Sequence, residues 1–199
     1  MIRAAEAAGI TPIVRVDKNE ETSILRVLDI GAHGVEIPQI NCKGDAIRAV
    51  NSVKYSPQGF RGVCRYVRAA NYSSMDKFQY FELANKETMI IAHIEGIKGI
   101  DNLDEILSVN DIDVIFIGPY DLSQSLGIPG KVNDPLVEQK MTEVITKCRK
   151  NDIAVGTFAD DIETAKFWVS LGVQYMSFSV DVGILCNSCS GILDELKNK

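Results

Sequence analysis

Six short runs rich in β-branched and apolar residues punctuate the chain, at Pro12 to Val16, Val35 to Pro38, Met89 to Glu95, Asp113 to Gly118, Ile153 to Phe158 and Gln174 to Val180. Between them lie longer amphipathic segments: Glu20 to Ile30, Asp45 to Val53, Met75 to Asn85, Asp101 to Val109, Pro135 to Asn151 and Asp161 to Leu171. Gly31 and Gly172 stand where two of these helices should stop, because glycine accepts the left-handed turn that closes a helix. Strands alternating with helices predict an α/β fold whose parallel sheet is crossed over by helices. A complete (β/α)8 barrel averages roughly 250 residues, about 31 per unit, so a chain of this length holds about six units. The expected fold is therefore either an open doubly wound sheet or an incomplete (β/α)8 TIM-type barrel. Met1 to Ala8 reads as the last turns of a helix stopped by Gly9. We expect residues 1–199 to form a single domain whose natural reading frame begins upstream.

Composition narrows the function classes. The chain has 199 residues, 46% of them apolar, enough for one substantial core. With 21 basic against 27 acidic residues the net charge is −6. No stripe of Lys or Arg suits a phosphate backbone, so nucleic acid is not an expected partner. No apolar run approaches the roughly 20 residues that span a bilayer, and Met1 to Gly9 lacks a signal-peptide core. A membrane is not expected, and the expected compartment is the cytoplasm. Five cysteines without framework spacing fit reduced thiols. Cys186 and Cys189 form a lone C-x-x-C, which reads as two positions on one face of a C-terminal helix.

In parallel α/β folds the functional side chains gather at the carboxyl ends of the strands. Here those ends carry Arg15, Glu95 in Ile94-Glu95-Gly96, and Asp121 in Gly118-Pro119-Tyr120-Asp121. Glu95 and Asp121 are 26 residues apart, close to one βα unit, so their strands should be neighbours. Two such carboxylates can share a hard divalent cation, Mg²⁺ or Mn²⁺ in the first place and Co²⁺ or Zn²⁺ as alternatives, with positions left for water and a substrate oxygen. Taken singly, Glu95 also reads as a salt-bridge partner at a loop start and Asp121 as the N-cap of a short helix. The Gly118-Pro119 turn into a helix offers backbone N–H groups to a carboxylate. Arg15 can hold a 2-oxo group, or the negative charge that develops there on enolisation.

Thr11 to Val16, Leu28-Asp29-Ile30-Gly31-Ala32, Ile37-Pro38, Gly59-Phe60-Arg61-Gly62-Val63, Ile94-Glu95 and Phe116 to Ser123 together resemble the HpcH/HpaI aldolase family, barrels of the phosphoenolpyruvate/pyruvate superfamily. The resemblance runs in order over nearly the whole chain. It implies a carbon–carbon lyase that cleaves or forms 2-oxo acids through a pyruvate enolate, usually as a homo-oligomer, with a 2-oxo acid and an aldehyde as its small-molecule partners. It further implies that Glu95 and Asp121 bind the divalent metal, that Arg15 contacts the 2-oxo oxygen, and that Gly118, Pro119, Tyr120 and Asp121 receive the carboxylate. Asp29 would support the family's catalytic histidine.

The chain departs from the family pattern in lacking its Asp-x-Glu-His motif. Its two histidines are His33, in a helix-to-strand turn, and His93, which strand alternation points to the same side as Glu95. His93 is accordingly the candidate for a substitute base, or else an interior histidine bonded to its neighbours. Arg61, Arg65 and Arg68 precede the strand of Glu95, and we expect Arg68 at the substrate rim. Three functions compete: a metal-dependent pyruvate aldolase, a barrel fragment that binds metal and oxo acid without turnover, and a citryl- or acyl-CoA lyase.

Overall fold

The computed structural model describes residues 1–197. All six expected strands form: β1 (Ile13–Arg15), β2 (Gly34–Ile37), β3 (Met89–Ile94), β4 (Val114–Ile117), β5 (Ala154–Ala159) and β6 (Tyr175–Phe178). They lie side by side in chain order, and every neighbouring pair is parallel. The sheet curls into a half-barrel. Across its hollow side the Tyr175 hydroxyl of β6 reaches Glu36 of β2 at 2.8 Å.

The helices α1 (Ile2–Ala7), α2 (Glu21–Asp29), α3 (Lys43–Val53), α4 (Lys77–Glu87), α5 (Ile97–Asp101), α6 (Leu103–Leu107), α7 (Pro119–Ser125), α8 (Pro135–Lys150), α9 (Ile162–Leu171) and α10 (Asp181–Lys197) precede, connect and follow the strands. Local chemistry sets their ends. Asp76, Asp134 and Asp161 accept first-turn N–H groups at the starts of α4, α8 and α9. Gly172, at φ +106°, closes α9 in the left-handed region. The segment Asp101 to Val109, expected as one helix, begins earlier and is broken. Asn102 interrupts it at φ −94°, ψ 11°, and its amide donates to the Asn41 carbonyl at 2.8 Å.

Side-chain alternation gives the sheet two apolar layers. The outward set, with Val35, Ile37, Ile90, Ile94, Ile115 and Ile117, packs on Ile24, Leu28, Val50, Ile106, Met141 and Ile145 of the helices. Each such burial contributes about 1.5–3 kcal/mol. The inward set, Ile91, Val114 and Phe116 with Ile13, Met89, Ala154, Phe158 and Tyr175, fills the floor of the half-barrel. The helix α10 buries none of its described residues.

Candidate active site

Register determines what meets at the carboxyl ends of the strands. Ile94 of β3 pairs with Ile117 of β4, so Glu95 and Gly118 follow side by side. Gly118 matters for what it lacks. A β-carbon there would meet Glu95 Cγ at 3.2 Å and Asp121 Oδ2 at 3.9 Å, so the two carboxylates border the same small space. Asp121 is exposed in the first turn of α7 and makes no capping bond, which removes the N-cap reading.

Glu95 is held from three sides. Its Oε1 lies 3.1 Å from His93 Nδ1 and accepts from Arg15 Nη2 at 3.4 Å, while Oε2 accepts the Gln39 N–H at 3.1 Å. Gln39 presents that N–H from a backbone at φ +58°. Burial works to raise the Glu95 pKa, but His93, the Gln39 amide and Arg15 outweigh it and hold the carboxyl below its ordinary value. Glu95 is therefore an anion at neutral pH, as a ligand for a hard cation must be.

Two carboxylates around a space that a methyl group would fill are a donor set of the right chemistry for Mg²⁺ or Mn²⁺. They leave most coordination positions to water and substrate. Among the described residues no group of three or more His, Cys, Asp or Glu side chains is arranged to hold a metal.

His93 points inward as alternation requires, but it lies deep, with 3% of its surface exposed. Its ring stacks on Phe116 at 4.4 Å, and its Nε2 is 3.5 Å from Glu36 Oε2. That second contact is not an aligned hydrogen bond, for Nε2 lacks a hydrogen-bond partner, and it attracts as an ion pair only when the imidazole is protonated. Burial acts to lower the His93 pKa, and the two flanking glutamates override it, so the net shift is upward. Glu36 and Tyr175 are functional candidates that sequence reading passed over. The available signal was a carboxylate at the centre of the apolar strand Val35 to Pro38.

Arg15 is half exposed and projects at the rim beside Glu95. Pro119 is buried under the turn, whereas Tyr120 is exposed and its hydroxyl donates to Asp160. What this turn leaves free is its backbone N–H groups, since the first turn of a helix has no intrahelical acceptor for them.

Asp29 and Arg68 stand apart from the Glu95 group in this chain. Asp29 ends α2, whose exit leads to the amino end of β2, and it accepts from Arg61 Nη2 at 2.8 Å. Arg68 bonds the Ile30 carbonyl and Glu6, also at the amino-terminal pole. The reason is steric as well as electrostatic: the glycine at Gly31 leaves the space that the Arg68 guanidinium occupies. His33 lies at the same pole, 3.7 Å from Glu6.

A parallel half-barrel with two carboxylates and an arginine at its carboxyl pole is the class of α/β fold the structure defines, and comparison with known proteins makes it specific. The chain belongs to the HpcH/HpaI aldolase/citrate lyase family, whose sequence profile matches residues 1–188. It is an enzyme of the carbon–carbon lyase class. The 5-keto-4-deoxy-D-glucarate aldolase of Citrobacter koseri is 31% identical over 196 residues, 98% of this chain and 76% of that protein. Among solved structures, an HpcH/HpaI aldolase/citrate lyase family protein from Burkholderia cenocepacia superposes with a TM-score of 0.93 at 33% identity, covering 98% of this chain and 78% of that one. The HpcH/HpaI aldolase of Desulfitobacterium hafniense gives 0.93 at 29% identity, covering 100% and 76%.

Proposed function

We propose that this lyase is a divalent-metal-dependent aldolase acting on acidic 2-oxo sugars of the 5-keto-4-deoxy-D-glucarate type, with pyruvate as the enolisable product. The observation that carries the reading is the placement of Glu95 and Asp121 on either side of Gly118, with Arg15 beside them. A bound Mg²⁺ or Mn²⁺ supplies positive charge at the 2-oxo group, where the transition state accumulates negative charge. Arg15 orients the same group with its planar donors, and the N–H groups of Tyr120 and Asp121 receive the carboxylate. In cleavage the bond between C3 and C4 of the 2-oxo acid breaks, its electron pair passes to the enolate, and the C4 hydroxyl gives up its proton as the aldehyde forms. Protonation of C3 then releases pyruvate.

The same reading takes the half-barrel as six units of a (β/α)8 TIM-type barrel. The parallel chain-order sheet and the likeness to solved family members support it. It takes residues 1–199 as one domain, of which 198 and 199 lie outside the described residues. Homo-oligomerisation is part of it too. Val182, Leu185, Cys189, Ile192 and Leu196 recur at helical spacing along α10 and are exposed, as are Ile162 and Val169 on α9. No helix among the described residues is long and apolar enough to cross a membrane, and the cytoplasm is the compartment we propose.

The test is pyruvate release from 5-keto-4-deoxy-D-glucarate by the chelator-stripped protein, with and without Mn²⁺. Glu95→Gln and Asp121→Asn serve as variants and citryl-CoA as a control substrate. Release should require metal and fall at least about 100-fold in either variant. Unchanged turnover in chelator, or cleavage of citryl-CoA alone, would overturn the assignment.

A further inference from the structure

Glu36 is an anomaly of the β2 strand. Its chain neighbours Val35 and Ile37 are fully buried, and its own side chain is only 15% exposed. A carboxylate in that position must find partners or be neutralised. It finds them inside the half-barrel, with Oε1 accepting from the Tyr175 hydroxyl at 2.8 Å and Oε2 facing His93 Nε2 at 3.5 Å. The other nitrogen of the same ring meets Glu95 Oε1 at 3.1 Å. Tyr175, Glu36, His93 and Glu95 thus form a continuous line from β6 through β2 to the carboxyl end of β3. Phe116 stacks on the imidazole at 4.4 Å with the two planes 20° apart, which limits tilting of the ring.

The line ends on the carboxylate that the proposed function gives to the metal. We infer that Glu36 and Tyr175 are positioning residues for Glu95, acting through His93. The inference rests on that reading of Glu95. It also gives His93 a different part from the base its sequence position suggests: the ring is stacked, its Nδ1 meets Glu95 and its Nε2 faces Glu36, and it orients a ligand from beneath. Groups in this position set the direction of a ligating oxygen, and losing one typically costs about 10- to 100-fold in metal affinity or activity. A purely architectural role is the competing account. In that account Glu36 and Tyr175 would only tie β6 to β2, and their loss would lower the melting temperature without touching the metal.

A double-mutant cycle separates the two. Mn²⁺ affinity is measured by electron paramagnetic resonance on the full chain, alongside melting of the metal-free protein and the kcat and KM for cleavage. Glu36→Gln and Tyr175→Phe should each weaken Mn²⁺ binding about 10-fold and lower kcat, with KM changed by less than about threefold. His93→Leu should weaken binding at least as much. His93→Gln, which keeps a donor for Glu95, should restore most of it. In the His93→Leu background, Glu36→Gln should have no further effect on Mn²⁺ affinity. Tyr175→Phe removes a single oxygen and keeps the ring in its apolar layer, so it remains informative if Glu36→Gln folds poorly. The inference is overturned if Tyr175→Phe and Glu36→Gln leave Mn²⁺ affinity unchanged, or if Glu36→Gln weakens it equally with and without His93. If Glu95→Gln itself leaves Mn²⁺ affinity intact, the metal reading fails first, and the inference falls with it.

Discussion

Gly118 and Glu95 are fitted to one another, since a β-carbon on residue 118 would stand 3.2 Å from Glu95 Cγ. That separation is tighter than ordinary packing, so the carboxylate would have to give way by a few tenths of an ångström. Gly118→Ala should therefore disturb the ligand more than the fold. We expect Mn²⁺ affinity to drop about 10-fold with the metal-free melting temperature nearly unchanged. Titration of Mn²⁺ beside a melting curve checks this, and parent-like affinity would count against the shared space as a metal site.

Arg15 offers the opposite contrast. Its guanidinium is 51% exposed and touches Glu95 with one nitrogen at 3.4 Å, leaving other donors free for a 2-oxo group. Arg15→Lys preserves charge but not the planar fork. Turnover should fall about 100-fold, with metal affinity within a few-fold of the parent. Equal losses in both would assign Arg15 to holding Glu95 alone.

At the other pole Arg61 is 2% exposed, paired with Asp29 at 2.8 Å and lying over the Tyr55 ring at 4.7 Å. Arg61→Ala removes an ion pair and a cation–π contact together and leaves Asp29 without its buried partner. Stability should fall by about 3 kcal/mol, near the low end for a buried pair because Asp29 keeps some contact with water. Urea denaturation reads the change. A shift under about 1 kcal/mol would reduce the pair to a surface contact.

The cysteines divide by burial. Cys148 is fully buried in α8, and burial pushes its thiol up to about 12, whereas Cys64, Cys186 and Cys189 are exposed. The thiolate is the reactive form. In the native protein near pH 8, Cys148 should resist a thiol reagent that modifies the exposed three within minutes, and it should react only on unfolding. Mass spectrometry of the modified sites distinguishes the two classes.

Charge placed on the apolar stripe of α10 tests self-association. Leu185→Lys with Leu196→Lys should convert an oligomer to a smaller species in light scattering coupled to size exclusion, because both residues are exposed on a helix with no buried residue. An unchanged mass would locate the interface elsewhere.

The sequence made the strands legible because each is a short apolar run bounded by turn residues, and all six appear where that pattern puts them. Glu95, Asp121 and Arg15 were legible because strand ends in parallel sheets share one pole. Glu36 and Tyr175 were not, since their pairing spans 139 positions and depends on the curl of the sheet. That Asp29 and Arg68 stand apart from the Glu95 group was not legible for a related reason. Motif resemblance names a residue without saying which pole of the barrel it occupies, and the exit of α2 decides that for Asp29.

Because the strands stand in space in the order in which they stand in the chain, every sheet contact joins a strand to the one before it. Closing such contacts requires only one βα connection at a time, which keeps the entropy of loop closure modest at each step. Synthesis from the amino terminus can thus lay down the sheet strand by strand, and Arg15, Glu95 and Asp121 are all in place once α7 has followed β4. The bond from Tyr175 to Glu36 is different: it must wait for β6. The pole that gathers Arg15, Glu95 and Asp121 can therefore assemble before its last interior brace arrives.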